Sequence, residues 1–149
     1  MKHSASVTIN RPIDIVFDLT NNHVSEWSIM VVEEKFLEET PEVVGSTFQT
    51  LTEDRGHQME LTGTVTAYQP PNHSAVHLEG DMFNIDAVYQ FEKISENETR
   101  VTQTSRVTSK GFLKVFLLLF GWLMKRSGLN GVNRELESLK AFCESYEEE

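Results

Sequence analysis

The sequence holds a single cysteine, Cys143, so no disulfide closes within the chain and no cysteine-rich zinc site can be built. No Ser/Gly linker, internal repeat or low-complexity tract interrupts it, and the terminal Glu147-Glu148-Glu149 reads as a solvated tail. Met1 to Ala5 lacks the apolar run of a signal peptide, which sets the expectation of a cytoplasmic protein. Basic residues are few: thirteen Lys and Arg stand against twenty-three Asp and Glu, a formal net charge of −10. A bulk charge of that sign disfavours nucleic acid, whose phosphates need a basic face. No HExxH, GxSxG, Cys-His or phosphate-loop pattern occurs, so no catalytic set, metal site or cofactor is assigned.

What is present is apolar and evenly spread. Nine Phe, two Trp and an apolar fraction of 39% over 149 residues exclude a disordered chain and supply enough material for one self-sufficient core, a single domain over 1–149. The charge is unevenly placed. Residues 1–109 carry seven basic and seventeen acidic residues, whereas residues 110–134 carry five basic residues and no acid. That basic stretch contains the most apolar part of the chain, Phe112 to Met124.

Periodicity divides the chain into elements. His3 to Ile9 reads as a strand with Ala5, Val7 and Ile9 on one face. Asn10-Arg11-Pro12 then reads as a helix start, with Pro12 in the first turn, where its missing N–H costs nothing. Ile13, Val16, Phe17 and Thr20 follow at helical spacing, Asn21-Asn22 breaks the helix, and a second short one covers Val24 to Trp27.

From Ile29 to Thr108 the period is two. Strands are expected over Ile29–Glu38, Gly45–Glu53, His57–Tyr68, Ser74–Glu79, Met82–Ile94 and Thr99–Thr108, separated by turn signals such as Asp54-Arg55-Gly56 and Pro70-Pro71. In the third, Met59, Leu61, Val65 and Ala67 are in phase. Across Gly80-Asp81, a register summing to about 161 sets Leu78 against Phe83, Val76 against Ile85 and Ser74 against Ala87. His77, Asn84 and Asp86 then share the opposite face. Val101, Gln103, Ser105 and Val107 continue the apolar face. Glu34 joins it if Met30, Val32 and Phe36 point inward.

Beyond Lys110 the period changes. Val132, Leu136, Leu139, Cys143 and Tyr146 form one stripe of a helix, and Phe112 to Met124 is also helical in character. The order is one strand, two short helices, about six more antiparallel strands and a long C-terminal helix, an α+β domain in which that helix covers the sheet.

Several passages resemble one family of folds. They are the opening strand running into Arg11-Pro12-Ile13-Asp14-Ile15-Val16-Phe17, Trp27 after the short helices, Val44-Gly45-Ser46-Thr47-Phe48, and Pro70-Pro71 before a strand. Phe91 followed by Thr99-Arg100-Val101-Thr102 and the helix with Leu136-Glu137-Ser138-Leu139-Lys140 complete the set. In order and spacing they resemble the START-like helix-grip (SRPBCC) superfamily, which includes polyketide cyclase/dehydrase-type and lipid-transfer domains. The resemblance implies a curved antiparallel sheet of about seven strands gripping the last helix, with a cavity between them. It implies no single activity, since members bind lipids, sterols, quinones or polyketides and only a minority catalyse reactions.

The expected lining is Trp27, Phe48, Met59, Leu61, Val65, Val76, Leu78, Phe83, Ile85, Tyr89 and Phe91, with Phe116 and Phe120 at the mouth. The alternative is a filled core. Gly63 and Ala87 in the same layer favour the cavity, because a filled core favours bulk there. Tyr89, Gln103 and Ser105, with Glu34, are candidates for the few polar groups that orient a ligand. A His77–Asp86 pair lies within reach on the outer face, away from the cavity.

Phe112 to Met124, thirteen residues with one charge and one glycine, is too short to span a membrane, which needs about 20. It suits a helix packed on the sheet, a homodimer contact, or a membrane-surface helix with its lysines toward anionic headgroups. The function expected is non-covalent binding of a hydrophobic small molecule such as a lipid, quinone or polyketide. The alternatives are a cyclase- or dehydratase-like enzyme using Glu34 and Tyr89, or an interaction protein using residues 112–124.

Overall fold

A computed structural model describes residues 2–54, 57–81, 83–109 and 132–146. The expected turn residues Arg55 and Gly56, Met82, and the segment 110–131 with Phe116 and Phe120, lie outside the described residues. Strand β1 (Lys2–Ile9) leads into helices α1 (Ile13–Asn22) and α2 (Val24–Trp27). Strands β2 (Val31–Glu38), β3 (Thr47–Asp54), β4 (His57–Gln69), β5 (His73–Glu79), β6 (Phe83–Ser95) and β7 (Glu98–Ser109) follow. Helix α3 is described over residues 132–145. The strands form one curved antiparallel sheet in the order β1-β7-β6-β5-β4-β3-β2. Successive hairpins build all of it except the β1–β7 pair, which brings the first strand beside the last.

The helices end where their residues dictate. Pro12 occupies the cap position of α1 and Ile13 is the first helical residue, so the helix begins one residue later than the sequence suggests; the extended ψ of 146° at Pro12 lies outside the helical range. Thr20 donates its hydroxyl to Val16 O within the helix, and Asn21 Nδ2 donates to Phe17 O in the last turn. The apolar stripe of α3 forms as the spacing predicts: Val132, Leu136, Leu139 and Cys143 are buried. They pack with Ile9, Val16, Phe17, Leu19, Trp27, Phe91 and Val101 into one core.

Polar bonds fix α3 at two places. Near its described start, Glu135 accepts hydrogen bonds from Ser28 Oγ, Ile29 N and Met30 N at 2.9–3.1 Å, and Ser138 Oγ donates to Trp27 O. Near its end, Arg11 donates to the carbonyls of Cys143 and Tyr146, supplying donors to groups that a helix C-terminus leaves unpaired. Lys140 Nζ donates to Thr8 O at 2.7 Å.

Three departures from simple period-two reading matter for the site. The β5–β6 register sums to 163, so that Leu78 faces Ile85, Val76 faces Ala87 and Ser74 faces Tyr89. The pairing is closed by Gly80 N donating to Phe83 O at 3.0 Å, one residue beyond the pair that the smaller sum would place at the turn. A slip of two preserves every facing, which is why alternation does not detect it. In β4 a register shift between Val65 and Ala67 turns Ala67 out of phase and puts Tyr68 opposite Ser74. In β2, shifts between Val31 and Glu33 and between Phe36 and Glu38 break the alternation that would align Met30 and Val32 with Glu34. Val31, Glu34 and Phe36 face Thr52, Thr50 and Phe48 instead.

Candidate functional site

The registers arrange the concave face in rows that cross the sheet. Nearest α1, Ile9 faces Thr99 and Val7 faces Val101, with Phe91 beyond, and these rows belong to the packed core. The next row runs Ala5, Gln103, Tyr89, Ser74, Tyr68. Beyond it lie His3, Ser105, Ala87, Val76 and Val65, then Val107, Ile85, Leu78, Gly63, Phe48 and Phe36. Leu61, Thr50 and Glu34, followed by Met59, Thr52 and Val31, close the far end.

This order separates two environments. Trp27 and Phe91 sit in the core, Phe17 meeting Phe91 at 5.0 Å and Trp27 meeting Tyr89 edge-on at 6.5 Å between ring centroids. Met59, Val65, Val76, Leu78, Phe83 and Ile85 face the same side but are only half-buried, and none joins the core cluster of the described residues. Phe48 and Leu61 are buried within that half. Between the two environments runs a band of polar-tipped side chains: Gln103, Tyr89, Ser74 and Tyr68.

The band is chemically unfinished. Ser74 Oγ and Gln103 Oε1 are buried and accept or donate no hydrogen bond among the described residues, a cost that native proteins rarely leave uncompensated. Tyr89 lies between them. Burial first, and then the charges of Glu135 and Glu34, hold its phenol far above the ordinary range, so that it stays a neutral O–H. The charges of Glu135 and Glu34 thus both bear on the Tyr89 phenol. Burial also raises the Glu34 carboxyl; the facing hydroxyl of Thr50 offsets part of this, although Thr50 Oγ1 forms no bond of good geometry. Glu135 is likewise raised by burial, with its bonds from Ser28, Ile29 and Met30 acting the other way.

Glu135 is the group that sequence reading misses. It stands beside the apolar stripe rather than on it, and two of its three partner residues are reached through backbone N–H groups, which leave no mark in a sequence. Gly63 carries a different lesson. A Cβ there would come within 2.3 Å of Phe48 Cζ, so the space above Gly63 is filled by a cross-strand ring and provides no room for a ligand.

His77 and Asp86 face each other directly across β5 and β6, Nδ1 donating to Oδ1 at 2.6 Å. The bond to Asp86, with Glu79 assisting, raises the imidazole above its ordinary range. The pair lies on the convex face, opposite Tyr89. Among the described residues no cluster of His, Cys, Asp and Glu is arranged to hold a metal ion, and no helix is long and apolar enough to cross a membrane.

Glu34 gives a pH-dependent prediction. Because the folded-state carboxyl has the higher pKa, the folded protein binds more protons than the unfolded chain just above the ordinary value of 4.5. Its charge therefore costs stability at neutral pH, and the cost fades as pH falls toward that value. Glu34→Gln is expected to raise the melting temperature at about pH 7 and to leave it unchanged at about pH 4. Thermal melts followed by circular dichroism at both values check this; a variant less stable at the higher pH would show that the carboxylate has a stabilising partner.

Comparison with known proteins agrees with this geometry. The sequence matches the family described as polyketide cyclase/dehydrase and lipid transport over residues 1–144. A search of curated proteins finds no significant match. Among solved structures, the protein TTHA0849 from Thermus thermophilus superposes with a TM-score of 0.80 at 16% identity, over 96% of this chain and 97% of that one. A START superfamily protein from Mycobacterium smegmatis gives 0.77 at 14% identity, over 96% and 97% of the two chains. The Zhui aromatase/cyclase from Streptomyces sp. R1128 gives 0.74 at 11% identity, over 97% and 93%. The chain belongs to the polyketide cyclase/dehydrase and lipid transport family, and its fold is the START-like helix-grip fold.

Proposed function

We propose that the protein binds one hydrophobic small molecule, of the lipid, quinone or polyketide kind, against the half-buried end of the concave face. The observation that carries this reading is the pairing of an apolar, incompletely buried surface (Met59, Val65, Leu78, Phe83, Ile85) with the unpartnered polar atoms of Ser74 and Gln103 at its floor. Binding sites of this type are mostly apolar with a few placed polar groups. Removal of apolar surface from water supplies affinity at about 25 cal/mol per Å², less the cost of ordering the ligand. Trp27 and Phe91, packed in the core, support the floor.

Native mass spectrometry of the purified protein, followed by organic extraction, tests the reading. The expected result is either a bound apolar molecule or, for protein stripped of it, stoichiometric uptake of the neutral dye Nile red. Absence of both would overturn it.

One observation favours a second reading, cyclase- or dehydratase-like chemistry. The charges of Glu34 and Glu135 both reach the Tyr89 phenol, so a neutral O–H donor and carboxyls of raised pKa share one site. Groups of that kind serve general acid–base chemistry near neutral pH. If a molecule is recovered from the native protein, incubating fresh ligand with wild type and with Tyr89→Phe distinguishes the two readings: turnover by the first alone supports catalysis, and unchanged ligand in both supports binding.

A further inference from the structure

The polar band crosses the floor of the apolar end, and its composition constrains the head of whatever lodges there. This inference rests on the binding reading above. Ser74 is 3% and Gln103 8% exposed. Ser74 Oγ and Gln103 Oε1 are both unpartnered, and they flank Tyr89 on neighbouring strands. The amide oxygen can only accept, so the partner that satisfies it must donate a proton. The serine hydroxyl can do either. A purely apolar head leaves both atoms stranded, and an ether or ketone oxygen leaves Gln103 Oε1 without its donor.

The surrounding charge narrows the choice further. Glu34 faces Thr50 on the same concave face, and Glu135 reaches from α3 to the segment that opens β2. Both act on Tyr89 at the centre of the band, and burial already disfavours the charged form of each. Among the described residues no Lys or Arg stands on the concave face from the Tyr89 row to the far end. His3, on the next row, is buried and has an interaction of its own. Lys140 and Arg11 are taken up by Thr8 O and by the last carbonyls of α3. A carboxylate placed in the band would add a third negative charge where two are poorly solvated, while Arg134, beside Glu135 on α3, is exposed.

We propose that the site takes an uncharged, hydroxyl-bearing hydrophobe, held with its hydroxyl in the Ser74–Tyr89–Gln103 band and its apolar body toward Leu78 and Ile85, and that it rejects carboxylate-headed lipids. The hydroxyl donates to Gln103 Oε1 and accepts from Ser74 Oγ. The apolar body covers the half-buried side chains of Leu78 and Ile85.

Displacement of Nile red from the full-length protein by three chain-matched molecules tests the proposal. They are 1-decanol, which donates and accepts, decyl methyl ether, which only accepts, and decanoate, which is anionic at about pH 8. The expected order is decanol, ether, decanoate, with about a tenfold gap or more between first and last. Gln103→Leu is expected to narrow the gap between alcohol and ether by weakening displacement by decanol. Glu34→Gln is expected to strengthen decanoate binding with little effect on decanol. Equal displacement by all three, or preference for decanoate, would overturn the proposal while leaving hydrophobic binding intact. Failure of Nile red to bind stripped protein would instead overturn the binding reading, so the two failures are distinct. The comparison of ligands on wild type needs no variant to fold.

Discussion

Leu139→Ala is expected to cost about 2–5 kcal/mol of stability, the range for emptying a buried leucine site that collapses only partly. Leu139 has no exposed surface, and it lies on α3 inside the cluster formed by Leu136, Cys143, Val16, Ile9 and Phe91. Its neighbours come from strand, α1 and α3 together, so no single element can move in to close the void. Set against a total stability on the order of 5–15 kcal/mol for a domain, the loss corresponds to a fall in melting temperature of about 10 °C. Urea titration should show a lower midpoint with an unchanged slope, the signature of lost stability without a change in the folded surface. Glu137→Ala, exposed on the same helix, serves as the control and should stay within about 0.5 kcal/mol. A Leu139→Ala midpoint equal to wild type would mean that α3 does not depend on this contact.

Gly63→Ala should destabilise as well, against the usual sense of the substitution. In a strand, alanine is ordinarily better than glycine by about 0.5–1 kcal/mol, because the unfolded chain has less freedom to lose. Here the new methyl would meet Phe48 Cζ, Cε2 and Cε1 at 2.3, 2.4 and 2.8 Å. Phe48 stands opposite Gly63 in the ladder and is almost fully buried, so its ring must leave its rotamer or push Phe36, whose ring lies 6.4 Å away. Overpacking of this kind costs about 1–3 kcal/mol. The contact is isolated by a double-mutant cycle: Gly63→Ala placed on Phe48→Ala should be neutral or stabilising. If alanine is equally harmful in both backgrounds, the ring is not the cause.

The elements of this fold are plain in the sequence because burial on one side imposes a period. Val132, Leu136, Leu139 and Cys143 mark the inner stripe of α3, and Val101, Gln103, Ser105 and Val107 mark the inner face of β7 without interruption. What alternation cannot register is a change that preserves it. The two-residue slip between β5 and β6 keeps every side chain on its predicted face while giving Tyr89, rather than Ala87, to Ser74. That exchange creates the polar band.

Insertions are equally silent. The shift after Val65 replaces Ala67 by Tyr68 at the core, and those in β2 separate Glu34 from Met30 and Val32, with which strict alternation would group it. Such shifts are set by backbone pairing and twist. The unpartnered atoms of Ser74 and Gln103 are a property of their surroundings, so residue identity alone could nominate Gln103 but could not reveal that its oxygen lacks a donor.

The same shifts in β2 bear on behaviour at high protein concentration. This strand ends the order of the described sheet, and it carries Val32, Phe36 and Leu37 about half-exposed, a composition that invites another chain to add a strand. The irregularities at Val31/Glu33 and Phe36/Glu38 leave only a short regular stretch between them, and Glu33, Lys35 and Glu38 place charge along it. An incoming strand would find too few evenly spaced partners to extend a ladder. Deleting the extra residue at Val32 would straighten the edge, and fibre growth monitored by thioflavin fluorescence is the hazard that such a change would expose.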